Sequence, residues 1–388
     1  MLPMIRDLPT RRTLRLFVIW MKFSILFLTL TLHAGCTATG QQALYTPAAG
    51  QAAGQTTGQA AGQTTGQMTD ARSDSSAVWS LASTRWNGTF LNLNGAISNP
   101  SGISATPSGI SIKNARALDF HPDGTSLYIV GRSSENIVTY TLAEPWEVGS
   151  ATATSSFDLS GIVGSRNQGS VAHGLWFRKD TGRTFFVFNR TEVFRFDTDT
   201  PWDVAGARLA GYADVRDVVR RGHDIDLHPD GTVLYVDDRG KGAVHQFRMD
   251  EAWDLSTLEF EVSLDISEQE KAVRGLEFRR DGRRFFVMDT SRREVLEYEV
   301  PEAWSVRGAV YRGAFSVAGQ AGNPRSVTWK PDGRCFYVTD TSDGAVYPYE
   351  VPGGCVEHGN GGGDADGGED AREHGSGSEN RENDGGTP

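Results

Sequence analysis

Five basic or titratable side chains recur at one register of an internal repeat: Arg116, His173, His223, Arg274 and Arg325. Gathered at the mouth of a low-dielectric channel, such groups would focus a positive field and attract a carboxylate, a phosphate or an acidic sugar. The aligned position on the following strand carries Gly131, Asn189, Asp238, Asp289 and Asp340. Counting through the connecting hairpin puts each within about two residues of its basic counterpart, so Arg–Asp and His–Asp pairs that knit each unit are the favoured expectation. Units one and two lack the carboxylate, which leaves Arg116 and His173 freest to meet a ligand.

A second set, Asp119, Asp226 and Glu277, shares another register in three units, with Trp176 and Thr328 in the other two. Carboxylates converging from different units are what a hard cation such as Ca²⁺ or another divalent metal needs to activate water. Hydrogen bonding within turns or between neighbouring units is the favoured alternative, and it implies no cofactor. A nucleophile elbow for Ser/His/Asp chemistry is missing from the sequence, and its three cysteines show no zinc-type spacing. His121 and His228 fall in turns at the other end of their units and are expected to be solvated.

The elements that must position these groups follow from the repeat. Trp79, Trp146, Trp202, Trp253 and Trp304 are spaced by 67, 56, 51 and 51 residues. Their fixed register reads as a structural anchor rather than as carbohydrate stacking. A second shared block follows each, as in Leu118-Asp-Phe-His-Pro-Asp-Gly-Thr-Ser-Leu-Tyr-Ile129 and Val327-Thr-Trp-Lys-Pro-Asp-Gly-Arg-Cys-Phe-Tyr-Val338, and five copies are present. Apolar and polar residues alternate on both sides of Pro-Asp-Gly, where Pro presets φ and Gly accepts a positive one, which is the pattern of a β-hairpin. Two further alternating runs complete each unit, for example Glu294-Val-Leu-Glu-Tyr-Glu-Val300 and Gly313-Ala-Phe-Ser-Val317.

Four-stranded sheets that bury their faces on their neighbours around an axis make an all-β propeller. The Pro-Asp-Gly…Tyr-Val block resembles the repeats of the YVTN, NHL and lactonase-like propellers. That resemblance implies the scaffold, and scaffolds of this kind host unrelated activities. The chain enters on a fourth-strand segment, Trp86-Asn-Gly-Thr-Phe-Leu-Asn-Leu93, and leaves on a third strand at Val351, so the N-terminal strand is expected to close the last of five blades. A sixth blade drawn from 94–113 is the alternative, although its Ser, Gly and Pro content reads as a loop.

Four segments follow: a signal peptide at 1–35, a Gly/Gln/Thr-rich disordered tether at 36–77, the propeller at 78–355 and an acidic disordered tail at 356–388. Arg11, Arg12, Arg15 and Lys22 precede an apolar run from Phe23 to Leu32, too short for the ~20 residues of a membrane span. The run leads into Ala34-Gly35-Cys36, which resembles a bacterial lipoprotein signal and implies lipidation of Cys36; ordinary cleavage and release is the alternative. The tail carries nine acidic residues against Arg372 and Arg381, a net of −7 out of the chain's −11. Its Asp364-Ala-Asp366-Gly-Gly-Glu369-Asp370 lacks the spacing and helical frame of an EF-hand. The body therefore has no basic excess, which argues against nucleic acid as a partner. Cys335 and Cys355 form a candidate disulfide in an oxidising compartment.

These observations together suggest a monomeric, exported binding protein, anchored by lipid alone in the cell envelope or periplasm, or else secreted. Its open face would take a protein, a glycan or a small anion. A metal-dependent lactonase-like hydrolase and a purely structural surface module are the alternatives.

Overall fold

The computed structural model describes residues 79–94, 110–163, 171–269, 272–351 and 354–355. The expected signal peptide, Cys36, the tether, the tail and most of the segment considered for a sixth blade lie outside the described residues. Among those described, the chain forms five antiparallel sheets around one axis. Blades 1 to 4 each run inside to outside in chain order, and blade 1 comprises Ala115–Phe120, Ser126–Gly131, Asn136–Leu142 and Ala151–Asp158. Blade 5 takes three strands from the C-terminal end, Pro324–Trp329, Cys335–Asp340 and Ala345–Glu350. The short N-terminal strands Arg85–Trp86 and Leu91–Asn92 pair with Ala345–Glu350 and complete it. The seam thus joins the two ends of the propeller, as the strand count requires.

Each Pro-Asp-Gly hairpin is locked by the tryptophan of its own blade. Gly231 turns the third hairpin at φ +79°, and a Cβ there would lie 2.2 Å from the Trp253 indole. Trp253 itself sits at φ +68°, and its N–H donates to the Gly231 carbonyl at 2.9 Å. A residue other than Gly would lose both the allowed backbone region and the ring contact. The seam reproduces the lock: Trp79, from the N-terminal end, donates to Gly333 O of blade 5 at 2.8 Å. The tryptophans are therefore the anchors that their register suggested.

Five apolar clusters fill the five contacts between neighbouring blades. Tyr128 and Val130 of blade 1, for instance, pack with Leu175 and Phe177 of blade 2, each such side chain contributing about 1.5–3 kcal/mol on burial. Second-strand tyrosines add polar staples. Tyr128 Oη donates to Trp202 O and Tyr337 Oη to Trp146 O, both at 2.9 Å, each reaching the next blade. Cys335 and Cys355 are joined by a disulfide, with Cα atoms 5.1 Å apart. That bond ties the residue beyond the last strand to blade 5.

Candidate functional site

The inner strands bring their first residues to one end of the axis, and Arg116, His173, His223, Arg274 and Arg325 meet there. The His173 and His223 rings lie edge to face with centroids 4.8 Å apart. Arg116 feels the charges of Arg325, Arg274, Arg132 and Arg190. Arg116, His173, His223 and Arg325 are buried, and Arg274 is partly so.

Burial depresses every group in this ring, and Asp237 and Asp340 only partly offset it at Arg274 and Arg325. Desolvation, followed by repulsion from Arg325 and Arg274, brings Arg116 down to about 8. Arg274 falls to about 9 and Arg325 to about 10, again chiefly by desolvation. Desolvation and neighbouring cations hold both histidines well below the ordinary imidazole value, so both are neutral at pH 7. Among the described residues, the buried Nε and Nη1 of Arg116, Nε of Arg274, Nη1 of Arg325 and Nδ1 of His173 have no hydrogen-bond partner.

The expected cross-strand pairs do not form. Asp238 accepts from the backbone N–H groups of Arg220, Arg221 and Gly240. Asp289 accepts from the N–H groups of Ser291 and Arg292, and Asp340 from those of Asn323, Ser342 and Asp343. These carboxylates close turns. In blades 1, 4 and 5 the ladder register shifts between Ala115 and Leu118, Val273 and Leu276, and Pro324 and Val327. A bulge re-aims the side chain it carries, and Arg116, Arg274 and Arg325 lie inside these three.

A second basic layer was not singled out from the sequence. One place beyond the aligned position on the second strands stand Arg132, Arg190, Arg239, Thr290 and Thr341 in turn. Arg190 Nε donates to His173 Nε2 at 3.3 Å, and Thr341 Oγ1 accepts from Arg325 Nε at 3.1 Å. Beside Arg239, Arg220 and Arg221 line a cleft of about 460 Å³ with Gly240. No ion pair with a carboxylate forms at Arg116, Arg132, Arg190, Arg220, Arg221, Arg239, Arg274 or Arg325 among the described residues.

One step down the axis the channel is crossed. Ser326 of blade 5 donates to Asp224 of blade 3 at 3.1 Å, joining two blades that are not neighbours. Burial and the adjacent Asp237 push Asp224 well above the usual carboxylate range. Asp237, raised by burial to about 7, holds the His223 and Asp224 N–H groups through Oδ1, while its buried Oδ2 has no partner. Both aspartates occur in blade 3 alone, so no repeat register pointed to them.

Below this crossing lies a cavity of about 400 Å³ whose lining includes Asp119, Trp176, Asp226, Glu277, Thr328 and Trp329. Here the second carboxylate set forms a circle of bonds from blade to blade. Asp119 accepts from Phe177 N at 2.8 Å, Asp226 from Phe278 N at 2.6 Å and Glu277 from Trp329 N at 3.0 Å. Trp176 bonds to Asp226, and Thr328 Oγ1 donates to Leu118 O at 3.0 Å. Asp119 also meets the Lys179 ammonium. Desolvation raises Asp226 to about 7 and holds Glu277 well above its ordinary value. A donor set committed to N–H groups and an ammonium does not fit a hard-cation site, and no group of three His, Cys, Asp or Glu among the described residues is arranged to hold a metal.

The turn histidines at this end are not simply solvated. His121 and His228 bond Asp123 and Asp230 and press edge-on against Trp202 and Trp304 of the next blade, with centroids 4.6 Å apart in each case.

No family model and no curated protein matches the chain. Solved structures similar to it include a functionally unknown protein from Desulfotomaculum acetoxidans, with 12% identity over 60% of this chain and 64% of that one at a TM-score of 0.36. A Lactobacillus plantarum protein shows 12% identity over 58% and 64% at 0.40. A periplasmic gluconolactonase from Pseudomonas aeruginosa shows 17% over 58% and 63% at 0.38. The chain spans less than two thirds of the length of each. At these scores the likeness carries no argument about what this chain does.

Proposed function

We propose that this propeller is an exported, envelope-tethered binding protein that captures anions at its basic mouth. The observation that carries the reading is the set of buried guanidinium and imidazole nitrogens of Arg116, Arg274, Arg325 and His173 that have no partner among the described residues. A buried donor left unmatched costs about 1–3 kcal/mol, and more when charged, and an anion seated on the axis relieves several at once. Nothing comparable favours turnover, because the carboxylates a hydrolase would need are held by the backbone of adjacent blades.

Calorimetric titration with inorganic phosphate, sulfate and citrate at low ionic strength tests the reading. Binding that weakens with salt and disappears in an Arg116→Ala/Arg274→Ala double variant is expected. Absence of binding at millimolar anion would overturn it. Tethering rests on the Arg-rich, apolar and Cys36-terminated N-terminus; radiolabelled fatty acid should label the wild type and not Cys36→Ser, and equal labelling would overturn the anchor.

A further inference from the structure

The basic surface does not stop at the axis, and at one register its outward extension is one-sided. Arg132, Arg190 and Arg239 extend it over blades 1 to 3. In blades 4 and 5 the same register holds Thr290 and Thr341, whose hydroxyls are tied to the carbonyls of Pro324 and Asn323. Arg239 acts electrostatically on both Arg274 and Arg325, and Arg190 is acted on by Arg132, Arg221 and Arg239. His223 Nδ1 of the axial ring lies 3.2 Å from Arg221 O, which places the ring against the Arg220–Arg221–Arg239 cleft. Asp238, the carboxylate adjacent to Arg239, is fully buried with its oxygens taken by backbone N–H groups and by His245. The cleft is thus a second concentration of guanidinium groups with no carboxylate partner among the described residues.

Two such subsites, joined by arginines, suit a ligand whose negative charges repeat along its length. The loops of this face, among the described residues, carry no Phe, Tyr or Trp between the strands at 132–135, 171–173, 189–191, 215–224, 239–242, 290–293 and 341–344. A nucleic acid would be deprived of the stacking platforms that usually hold unpaired bases, whereas a carboxylate can be gripped by the guanidinium fork alone.

From this, and resting on the anion-binding reading above, we infer that the ligand is a linear acidic oligosaccharide, one uronate carboxylate seated in the axial ring and a later one in the Arg220–Arg221–Arg239 cleft.

The test compares galacturonic acid with its tetramer, titrated into the full chain at low salt, alongside inorganic phosphate and a single-stranded DNA oligonucleotide. The tetramer is expected to bind at least about tenfold more tightly than the monomer, because the second contact is made at high effective concentration. An Arg220→Ala/Arg221→Ala variant should bring the tetramer-to-monomer ratio close to one, with thermal unfolding confirming that it folds. A ratio of about one in the wild type, or a ratio unmoved in the variant, overturns the inference while phosphate binding leaves the axial reading standing. DNA binding tighter than the tetramer also overturns it. If phosphate, monomer and tetramer all fail to bind, the anion-binding reading itself falls.

Discussion

Replacing Arg116 by Met removes a guanidinium that is 8% exposed and has two partnerless buried nitrogens. Holding it at about 8 instead of 12.5 corresponds to about 6 kcal/mol of disfavour for the charged form. Water and counter-ions at the mouth screen much of that, and exchange of uncompensated buried charge for apolar volume typically stabilises by ~1–4 kcal/mol. We therefore expect Arg116→Met to raise the unfolding free energy by about 2 kcal/mol at pH 7 in anion-free buffer, measured by urea denaturation. The sign with pH is fixed. A cation whose folded-state pKa is lowered is fully penalised below that value, and the penalty fades as pH rises towards 12.5. The advantage of the variant should accordingly shrink between pH 7 and pH 10. Saturating anion should reverse the order, since ligand at a hundred times its Kd stabilises the wild type by about 2.7 kcal/mol and the variant by little. A variant less stable than wild type at pH 7 without anion, or an advantage that does not diminish by pH 10, would refute the reasoning.

Three other outcomes are expected. Glu277, raised by burial, binds a proton in the folded state at pH values where the unfolded chain has lost it, so its contribution declines as pH climbs above about 4.5. Glu277→Gln keeps an acceptor for Trp329 N and should match wild type at pH 4 yet exceed it at pH 8; equal pH profiles would count against this. Trp79→Ala empties the seam lock and should cost about 3–5 kcal/mol while exposing 79–94 to protease, and a loss below about 1 kcal/mol would show that the seam does not depend on the ring. Reducing the Cys335–Cys355 bond, with a sequence separation of 20, should lower stability by about 3 kcal/mol, read as a shift in the urea midpoint with and without reductant.

The blades were legible because their signals are local and repeated. Alternation of apolar residues sets each strand's faces, an Asp followed by Gly, directly or one residue later, sets each turn, and five copies with a spare N-terminal strand imply closure. The tryptophan lock was half legible: register marked Trp253 as an anchor, but only the fold shows its ring over Gly231. The basic ring was legible as a register, and Arg132, Arg190 and Arg239 stood one place further along in the same alignment. Their partnerships were not. Cross-strand counting placed Asp289 and Asp340 within about two residues of the basic positions, and the backbone agrees, since Val273 faces Asp289 and Pro324 faces Asp340.

By itself, then, the sequence determined the scaffold and the five basic positions, because strand, turn and repeat are set by residues close along the chain. The tertiary structure alone decided which of those charges are unpaired. Bulges at three inner strands separate Arg116, Arg274 and Arg325 from the ladder, and turn N–H groups claim the carboxylates that counting had given Arg274 and Arg325. It also decided that Asp224 and Ser326, 102 residues apart, meet across the axis between two unlike ends. Contacts across an axis depend on how blades meet, and no local pattern encodes that.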